Sequence, residues 1–486
     1  MNRREFLKNA GIGLGGAAAA GLWPLFRSSS QAGGAPKPNF VFVLIDDMGQ
    51  RDLGCYGSTF FETPNVNRLA SEGVLFTDGY AACPVCSPTR ASLLTGRYPA
   101  RLRLTNFLVG QRWPTNPPIL PVPWRHFLPL EEVTIAEALK AAGYVTAHVG
   151  KWHCGSPRDS WPDKQGFDVL AGTANGTRSY FFPDWGKGVP LDGRAGDYLT
   201  DRLTDEALRF IEANRDKPFF LNFCHYAVHI PLMARQEVIE RYRAKATPDA
   251  AQNNPIYAAM VQSVDESAGR ILRKLDELGI TERTVVVFTS DNGGLSVREG
   301  PNTPATSNAP LRAGKGYLYE GGIREPWLVR WPGVAKAGTT CSVPVTSVDV
   351  FPTLLEMAGL PRDLRPELDG ESIVPLLRGT GGLRRDAIYW HYPHYSNQGG
   401  SPGGAIRQGD HKLIEFYDDG HLELYDLKND LSETTNLAAR MSERAADLRS
   451  KLDAWRRAVG AQMPARNPDF DPKRPTDFLK ETPKKG

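Results

Sequence analysis

Beyond its first segment, this chain has no stretch approaching the about 20 consecutive apolar residues that a membrane-spanning helix needs, which argues against stable membrane insertion. Cysteine is sparse: Cys55, Cys83, Cys86, Cys154, Cys224 and Cys341 show no spacing that suggests a disulfide framework. Cys83 and Cys86 do have C-x-x-C spacing, which can serve redox chemistry or half a zinc site, but no second pair completes such a site. An excess of charge is also missing. The net charge is +3, and the four basic residues set against one acidic residue before position 32 account for all of it. The neutral remainder offers no electrostatic case for binding nucleic acid or an anionic membrane. What is present is ordinary for a globular protein. Hydrophobic residues at 41% and charged residues at 23% rule out wholesale disorder, and 486 residues suffice for one large α/β domain plus a smaller one.

Residues 1–32 read as a targeting signal. A basic start (Arg3, Arg4, Lys8) precedes a Gly/Ala-rich run from Ala10 to Phe26, and Ser30-Gln31-Ala32 offers a small-residue cleavage site. Five glycines and Pro24 interrupt the run, so it makes a poor spanning helix. The paired arginines followed by Phe-Leu-Lys resemble the twin-arginine signal. That resemblance implies the twin-arginine translocase as a partner, export in the folded state, and a periplasmic or secreted protein.

Four candidate strands end in polar residues. Phe40–Ile45 runs into Asp46-Asp47, Val145–Val149 into Gly150-Lys151-Trp152-His153, Phe219–Phe223 into His225 and His229, and Thr284–Thr289 into Ser290-Asp291-Asn292-Gly293. The continuous runs at Phe40–Ile45 and Thr284–Thr289 suit strands buried on both faces. Open α/β sheets place their sites at the carboxyl ends of such strands. Helices are expected between them: Ile135–Ala142 capped by Thr134, Leu199–Asn214 and Ile256–Leu278. The alternation predicts a mostly parallel sheet sandwiched between helices over residues 38–377. A small α+β subdomain is expected over 378–460. It would hold a hairpin of His411–Tyr417 and His421–Tyr425 around Asp418-Asp419-Gly420, then a helix over Leu437–Val459. Residues 461–486 read as an extended surface tail.

The strongest signal is Cys86-Ser87-Pro88-Thr89-Arg90 followed by Ala91-Ser92-Leu93-Leu94-Thr95-Gly96-Arg97. By themselves these residues could be a helix entry with a surface arginine. As Cys-x-Pro-x-Arg with Ala-Ser-Leu-Leu-Thr-Gly, however, they closely resemble the signature of type I sulfatases. That resemblance runs from about Pro38 to Ala438 and implies an alkaline-phosphatase-like α/β/α fold. It also implies that a separate formylglycine-generating maturation enzyme oxidises Cys86 to formylglycine (3-oxoalanine). The hydrate of that aldehyde carries two hydroxyls on one carbon. One attacks the sulfur of a sulfate ester, and the other collapses to the aldehyde and expels sulfate, a release that a serine ester lacks.

Asp46, Asp47, Asp291 and Asn292 offer only oxygen ligands, which suits Ca²⁺ or Mg²⁺ better than zinc. Aspartate at a strand end can also be plain turn chemistry. Ile-Asp-Asp-Met-Gly and Ser-Asp-Asn-Gly are similar to the family's metal motifs, which implies Ca²⁺ held by these four residues and by the hydroxyl derived from Cys86. Gly150-Lys151-Trp152-His153 resembles another family element. Lys151 would pair with sulfate and His153 would take the proton that triggers release. His229, in a His-x-Pro segment, and Lys315 would each act as general acid to the leaving alcohol or as sulfate clamp, and Arg90 would orient the formylglycine. Cys154 stands where many relatives have Leu.

Specificity is less legible. Arg103, Asn106, Trp124, His126, Arg298 and Asn302 lie in loops near these motifs, and His391, His394 and Arg407 follow in the C-terminal segment. Such side chains suit a sulfated glycan, but they also suit simple packing between two domains. The expected substrates are sulfated galactose or N-acetylgalactosamine units attacked from chain ends, with small sulfate esters as further substrates. Two alternatives stand beside this: a phosphonate monoester or phosphodiester hydrolase using the same formylglycine, and a non-catalytic exported glycan-binding protein.

Overall fold

The computed structural model describes residues 37–247, 250–361 and 367–474, so the expected export signal lies outside the described residues. Its centre is one sheet, built from β1 (Asn39–Ile45), β2 (Val74–Tyr80), β3 (Val145–Lys151), β4 (Val169–Ala174), β5 (Phe219–Cys224), β6 (Thr284–Ser290), β7 (Arg324–Arg330), β8 (Thr339–Cys341) and β9 (Val345–Thr346). The strand order is β4-β3-β5-β1-β6-β7-β2-β8, with β9 also paired to β2. The pairs β1–β5, β1–β6, β3–β5 and β3–β4 are parallel, while β7 runs antiparallel to both β6 and β2.

β1 shows why the run is apolar throughout. Val41, Val43 and Ile45 face one core together with helices Leu199–Ala213 and Pro255–Glu277. Phe40, Phe42 and Leu44 face a second core together with helices Cys86–Thr95, Ile135–Ala141 and Val350–Met357. With successive residues facing alternate cores, every position from Phe40 to Ile45 is buried and apolar. Each large side chain buried this way contributes about 1.5–3 kcal/mol before entropy is counted.

The helix starts follow local chemistry. Thr134 and Glu137 form a reciprocal capping box at 2.9 and 3.2 Å, and Asn254 Oδ1 accepts from the amides of Ile256 and Tyr257 ahead of a helix opened by Pro255. Among the described residues no helix is long and apolar enough to cross a membrane.

The C-terminal part is an antiparallel sheet of β10 (Ala387–Tyr392), β11 (Gly403–Gln408), β12 (His411–Phe416) and β13 (Leu422–Asp426) in sequential order. The expected hairpin is there, with Gly420 at φ 81° in its turn. The last helix begins at Ser442 rather than Leu437, because the Leu437 amide donates to Leu424 O and so ties that segment to β13. Its Ala445, Leu448 and Leu452 cover Ile406, Leu413 and Leu424 of the sheet. Beyond it, among the described residues, Arg466 forms an antiparallel bridge with Ile119 and two turns follow, with Phe470 N donating to Asn467 O and Arg474 N to Asp471 O.

A buried ion cluster fastens this sheet to the first. Lys412 Nζ lies 2.9 Å from both Glu320 Oε1 and Glu433 Oε1, and all three side chains are fully buried. Glu320 Oε2 accepts from Tyr80 Oη at 2.7 Å, and Arg407 and Arg324 both pair with Asp78 of β2.

Candidate active site

β1 and β6 are parallel neighbours in register, with Ile45 opposite Ser290, so both strands end at the same edge of the sheet. The residues that follow, Asp46-Asp47 and Asp291-Asn292, therefore meet side by side. Asp47 N donates to Asp291 Oδ1 at 3.1 Å, and Asn292 Nδ2 donates to Asp47 Oδ1 at 2.8 Å. The turn requires Asp47 at φ 62°, a left-handed conformation that Asp tolerates better than most residues. β3 ends two strands away and delivers Lys151, and the loop after β5 delivers His229.

Cys86 is the first residue of the helix Cys86–Thr95, which has no side-chain N-cap, so its first-turn amides keep their affinity for an anion. Cys86 Sγ lies 3.1 Å from His153 Nδ1. One helical turn on, Arg90 donates Nε to Asp291 Oδ2 at 2.8 Å and Nη1 to Lys151 O at 2.9 Å, and its Nη2 lies 2.7 Å from the same Asp291 oxygen as an ion pair. Lys151 Nζ binds Asp46 Oδ2 at 2.7 Å, and Lys315 Nζ binds Asp47 Oδ2 at 2.6 Å. His229 Nε2 stands 3.6 Å from the same Asp47 oxygen. Every nucleophile, metal and sulfate position singled out in the sequence thus falls within one cluster. It forms the base of a cavity of about 330 Å³ lined by Asp46, Cys86, Lys151, His153, His229 and Lys315.

The environment sets the protonation states. Burial pushes the Cys86 thiol up to about 11 against the pull of Lys151 and Lys315, so an unmodified Cys86 is a neutral thiol and a poor nucleophile. Burial, then Lys151, holds His153 well below the usual histidine range. His153 Nε2 lies 3.0 Å from Leu108 O, which can only accept. Nε2 therefore carries the proton, and the lone pair on Nδ1 faces Cys86. His229 is likewise neutral, lowered to about 4 by burial and Lys315, and its Nδ1 donates to Ile230 O at 2.7 Å. Burial would raise Asp47, but Lys315, His229 and Lys151 outweigh it and hold that carboxyl below its usual range. Asp291 is raised to about 6 by burial, which Arg90 only partly opposes.

A divalent cation fits this donor set. Asp46 Oδ1 and Asn292 Oδ1 are buried without a hydrogen-bond partner, a costly condition that an ion would relieve. Ligand atoms of Asp46, Cys86 and Asp291 all lie within 4.8 Å of one another. Oxygen donors without a paired His or Cys suit a hard cation.

The expected glycan contacts are elsewhere. His391 is buried between Tyr417 Oη at 2.8 Å and Gln462 O at 3.0 Å, His394 is buried against Thr105 Oγ1 at 2.8 Å, and Arg407 is spent on Asp78 and Tyr80. They fasten the C-terminal sheet and none lines the cavity, nor do Arg103, Asn106, Trp124, His126, Arg298 or Asn302. The lining comes instead from their neighbours. Asn397 and Gln398 enter from the turn between β10 and β11, Glu299 from the loop after Asn292, and Phe107–Arg112 from the loop that carries Leu108 O. Asn397 clamps that last loop, accepting from Arg112 N at 2.8 Å and donating to Gly110 O at 2.9 Å. Gly399, Gly400, Gly403 and Gly404 follow Asn397 and Gln398, and nothing in the local composition indicates which side chains point inward. Cys83 is a buried free thiol outside the cavity lining, as a small filler would be, and Cys154 is buried too.

Comparison with known proteins agrees with this geometry. The profile named Sulfatase matches residues 38–360, and that of the N-sulphoglucosamine sulphohydrolase C-terminal region matches 313–458. A protein named sulfatase from Formosa agariphila is 34% identical across 89% of this chain and 91% of its own length. The N-acetylgalactosamine-6-sulfatase of Canis lupus familiaris is 37% identical across 77% and 73%. The crystal structure of Ps i-CgsB in complex with a k-i-k-neocarrahexaose superposes with a TM-score of 0.73 at 30% identity, covering 86% of this chain and 92% of that one. With one profile spanning the strands that build the cluster and another spanning the C-terminal sheet, this chain belongs to the sulfatase family and is a hydrolase of sulfate esters.

Proposed function

We propose that this protein is an exported sulfatase that removes sulfate from galactose or N-acetylgalactosamine units of sulfated glycans, acting from chain ends with a formylglycine made from Cys86 and a bound Ca²⁺. The observation that carries the reading is the approach of His153 Nδ1 to within 3.1 Å of Cys86 Sγ, above three carboxylates each answered by a cation. Burial raises the Cys86 thiol, which disfavours the thiolate and supports the reading that this position works as an oxygen nucleophile.

A hydrated formylglycine at position 86 would supply two hydroxyls on one carbon, one to attack sulfur and one to drive release. Ca²⁺ held by Asp46, Asp47, Asp291 and Asn292 would supply positive charge for a sulfate oxygen and the attacking hydroxyl. The chain's own residues do the rest. Lys151 and Lys315 line the cavity and neutralise sulfate oxygens, and their present partners, Asp46 and Asp47, are the carboxylates the cation would occupy. Arg90 locks Asp291 and the Lys151 backbone and so fixes the register between the helix Cys86–Thr95 and two strand ends. His153, with its proton on Nε2, presents a base to the side chain at position 86 and takes a proton there. Lys315 Nζ is a donor only, whereas the single ring proton of His229 is committed at Nδ1 to Ile230 O, so Lys315 is the better placed of the two to donate to the leaving alcohol. The names of the relatives, N-acetylgalactosamine-6-sulfatase and a carrageenan-oligosaccharide complex, support a sulfated galactose-type substrate.

The test is the mass of the peptide containing Cys86, taken from the native host. The expected peptide has lost two hydrogens, has sulfur replaced by oxygen, and reacts with an aldehyde probe. An unmodified thiol in a host that makes the maturation enzyme refutes the formylglycine reading and favours a binding protein. Turnover of a phosphodiester in preference to an aryl sulfate refutes the sulfate assignment.

A further inference from the structure

The base of the cavity is filled by the sulfate-binding cluster, so whatever the sulfate is esterified to must occupy the mouth. Most polar side chains there are already committed to protein partners. Both amide atoms of Asn397 are spent on the 110–112 loop. Asn175 accepts from His153 N and donates to Gly155 O. Thr177 donates to Ser179 O, and Tyr180 and Tyr226 donate to backbone carbonyls. Gln398 accepts from Ser396 Oγ at 2.6 Å and donates Nε2 to Glu299 Oε2 at 2.5 Å.

Glu299 is different. Its backbone is pinned, with its amide donating to Thr303 Oγ1 at 2.9 Å, and Gln398 fixes one carboxylate oxygen. Among the described residues its other oxygen, Oε1, has no protein partner, and Glu299 lines the same cavity as Lys315 and Cys86. Arg112 is also uncommitted among the described lining residues, but it is exposed, where water screens it, and the free Nε2 of His229 lies 3.6 Å from Asp47, within the sulfate-binding cluster. A pre-positioned, half-buried carboxylate accepts strongly from hydroxyl groups and gains nothing from an aryl or steroid ring.

Building on the sulfatase reading, we propose that Glu299, held by Gln398, is the specificity-determining residue that accepts a hydroxyl of the sugar carrying the sulfate. The substrate class is therefore a sugar sulfate with a free hydroxyl beside the esterified position. The C-terminal sheet takes part in this choice, because its β10–β11 turn supplies the Gln398 that aims the carboxylate.

The experiment compares kcat/KM of the purified full-length protein and its Glu299→Gln variant. The substrates are galactose and N-acetylgalactosamine monosulfates, the deoxy analogue of the best of these, and 4-nitrophenyl sulfate. The Gln variant keeps an acceptor for Gln398 and so preserves the turn. The ratio of sugar-sulfate to aryl-sulfate kcat/KM is expected to fall by about 10- to 100-fold, as loss of a charged hydrogen bond implies. The deoxy sugar should show no such fall. Gln398→Ala should shift the ratio in the same direction by less. An unchanged or raised ratio overturns the proposal, as does an equal fall on the deoxy sugar, or a wild type that turns over the aryl sulfate but none of the sugars. A wild type inactive on every sulfate defeats the underlying sulfatase reading instead.

Discussion

Replacing Lys412 with Met tests the buried ion cluster. In the folded protein the ammonium sits 2.9 Å from both Glu320 and Glu433, with no solvent access for any of the three. Met matches the length of the side chain but removes the charge, leaving two carboxyls facing each other. Glu320 keeps Tyr80 and Arg324, whereas Glu433 keeps only the Glu320 amide, which donates to its Oε2 at 2.7 Å. Breaking a buried pair by deleting one partner costs about 3–5 kcal/mol. The loss must depend on pH. Burial, aided by Glu320 and opposed by Lys412, already raises Glu433 from 4.5 to about 7. A carboxyl whose folded pKa lies above its unfolded value contributes stability that is present below the unfolded value and lost as pH rises through the folded one. Without Lys412 the opposing pull is gone and the window widens. The assay is urea unfolding followed by tryptophan fluorescence at about pH 8 and about pH 5. The variant should show the full loss at the higher pH and recover much of it at the lower, where Glu433 can take a proton. A loss under about 1 kcal/mol near pH 8, or the same loss at both, refutes the reasoning.

Three further outcomes are expected. Chelation of Ca²⁺ should abolish turnover and lower the unfolding temperature. Re-addition of Ca²⁺ should restore both, whereas restoration by Zn²⁺ alone contradicts the oxygen-donor argument. Cys83→Ala should keep most activity and Cys86→Ala should lose it; equal losses would return the Cys-x-x-Cys pair to a joint role. His153→Ala should lower kcat about 100- to 10,000-fold with little change in KM, and a change confined to KM would make His153 a binding group instead.

The parts of this protein legible in its sequence share a physical reason. β1 and β6 are covered on both faces and read as nearly unbroken apolar runs. β3 and β5 carry inside them only Thr146 and the buried His148 and Asn222 as polar residues, the last two bonded to each other at 3.0 Å. The polar residues after each strand mark the sheet edge where chemistry gathers. The capped helix at Ile135 and the hairpin at Gly420 follow from equally local rules. By contrast β2 and β7, antiparallel to each other, carry Asp78 and Arg324, which pair with each other from far apart in the sequence, and no local pattern reveals them. His391, His394 and Arg407 show the same limit from the other side. A polar residue satisfied at an interface between two sheets has the same composition as one facing a substrate. Leu108 contributes through its carbonyl, and Asn397 by clamping a backbone, roles that side-chain identity does not announce.

The burial of Cys86 also imposes an order of events. Only 2% of its surface is exposed, it opens a helix whose residues are all buried, and its sulfur faces His153 from inside the cluster. No second protein can wrap an active site around that sulfur once β1, β6 and the Cys86–Thr95 helix have come together. If Cys86 becomes formylglycine as proposed, that conversion belongs to the newly made chain, before residues 86–97 have folded. On that reading a molecule that folds before meeting its maturation enzyme stays inactive for as long as it stays folded. The proportion of active protein then becomes a race between oxidation and folding, set when each chain is made.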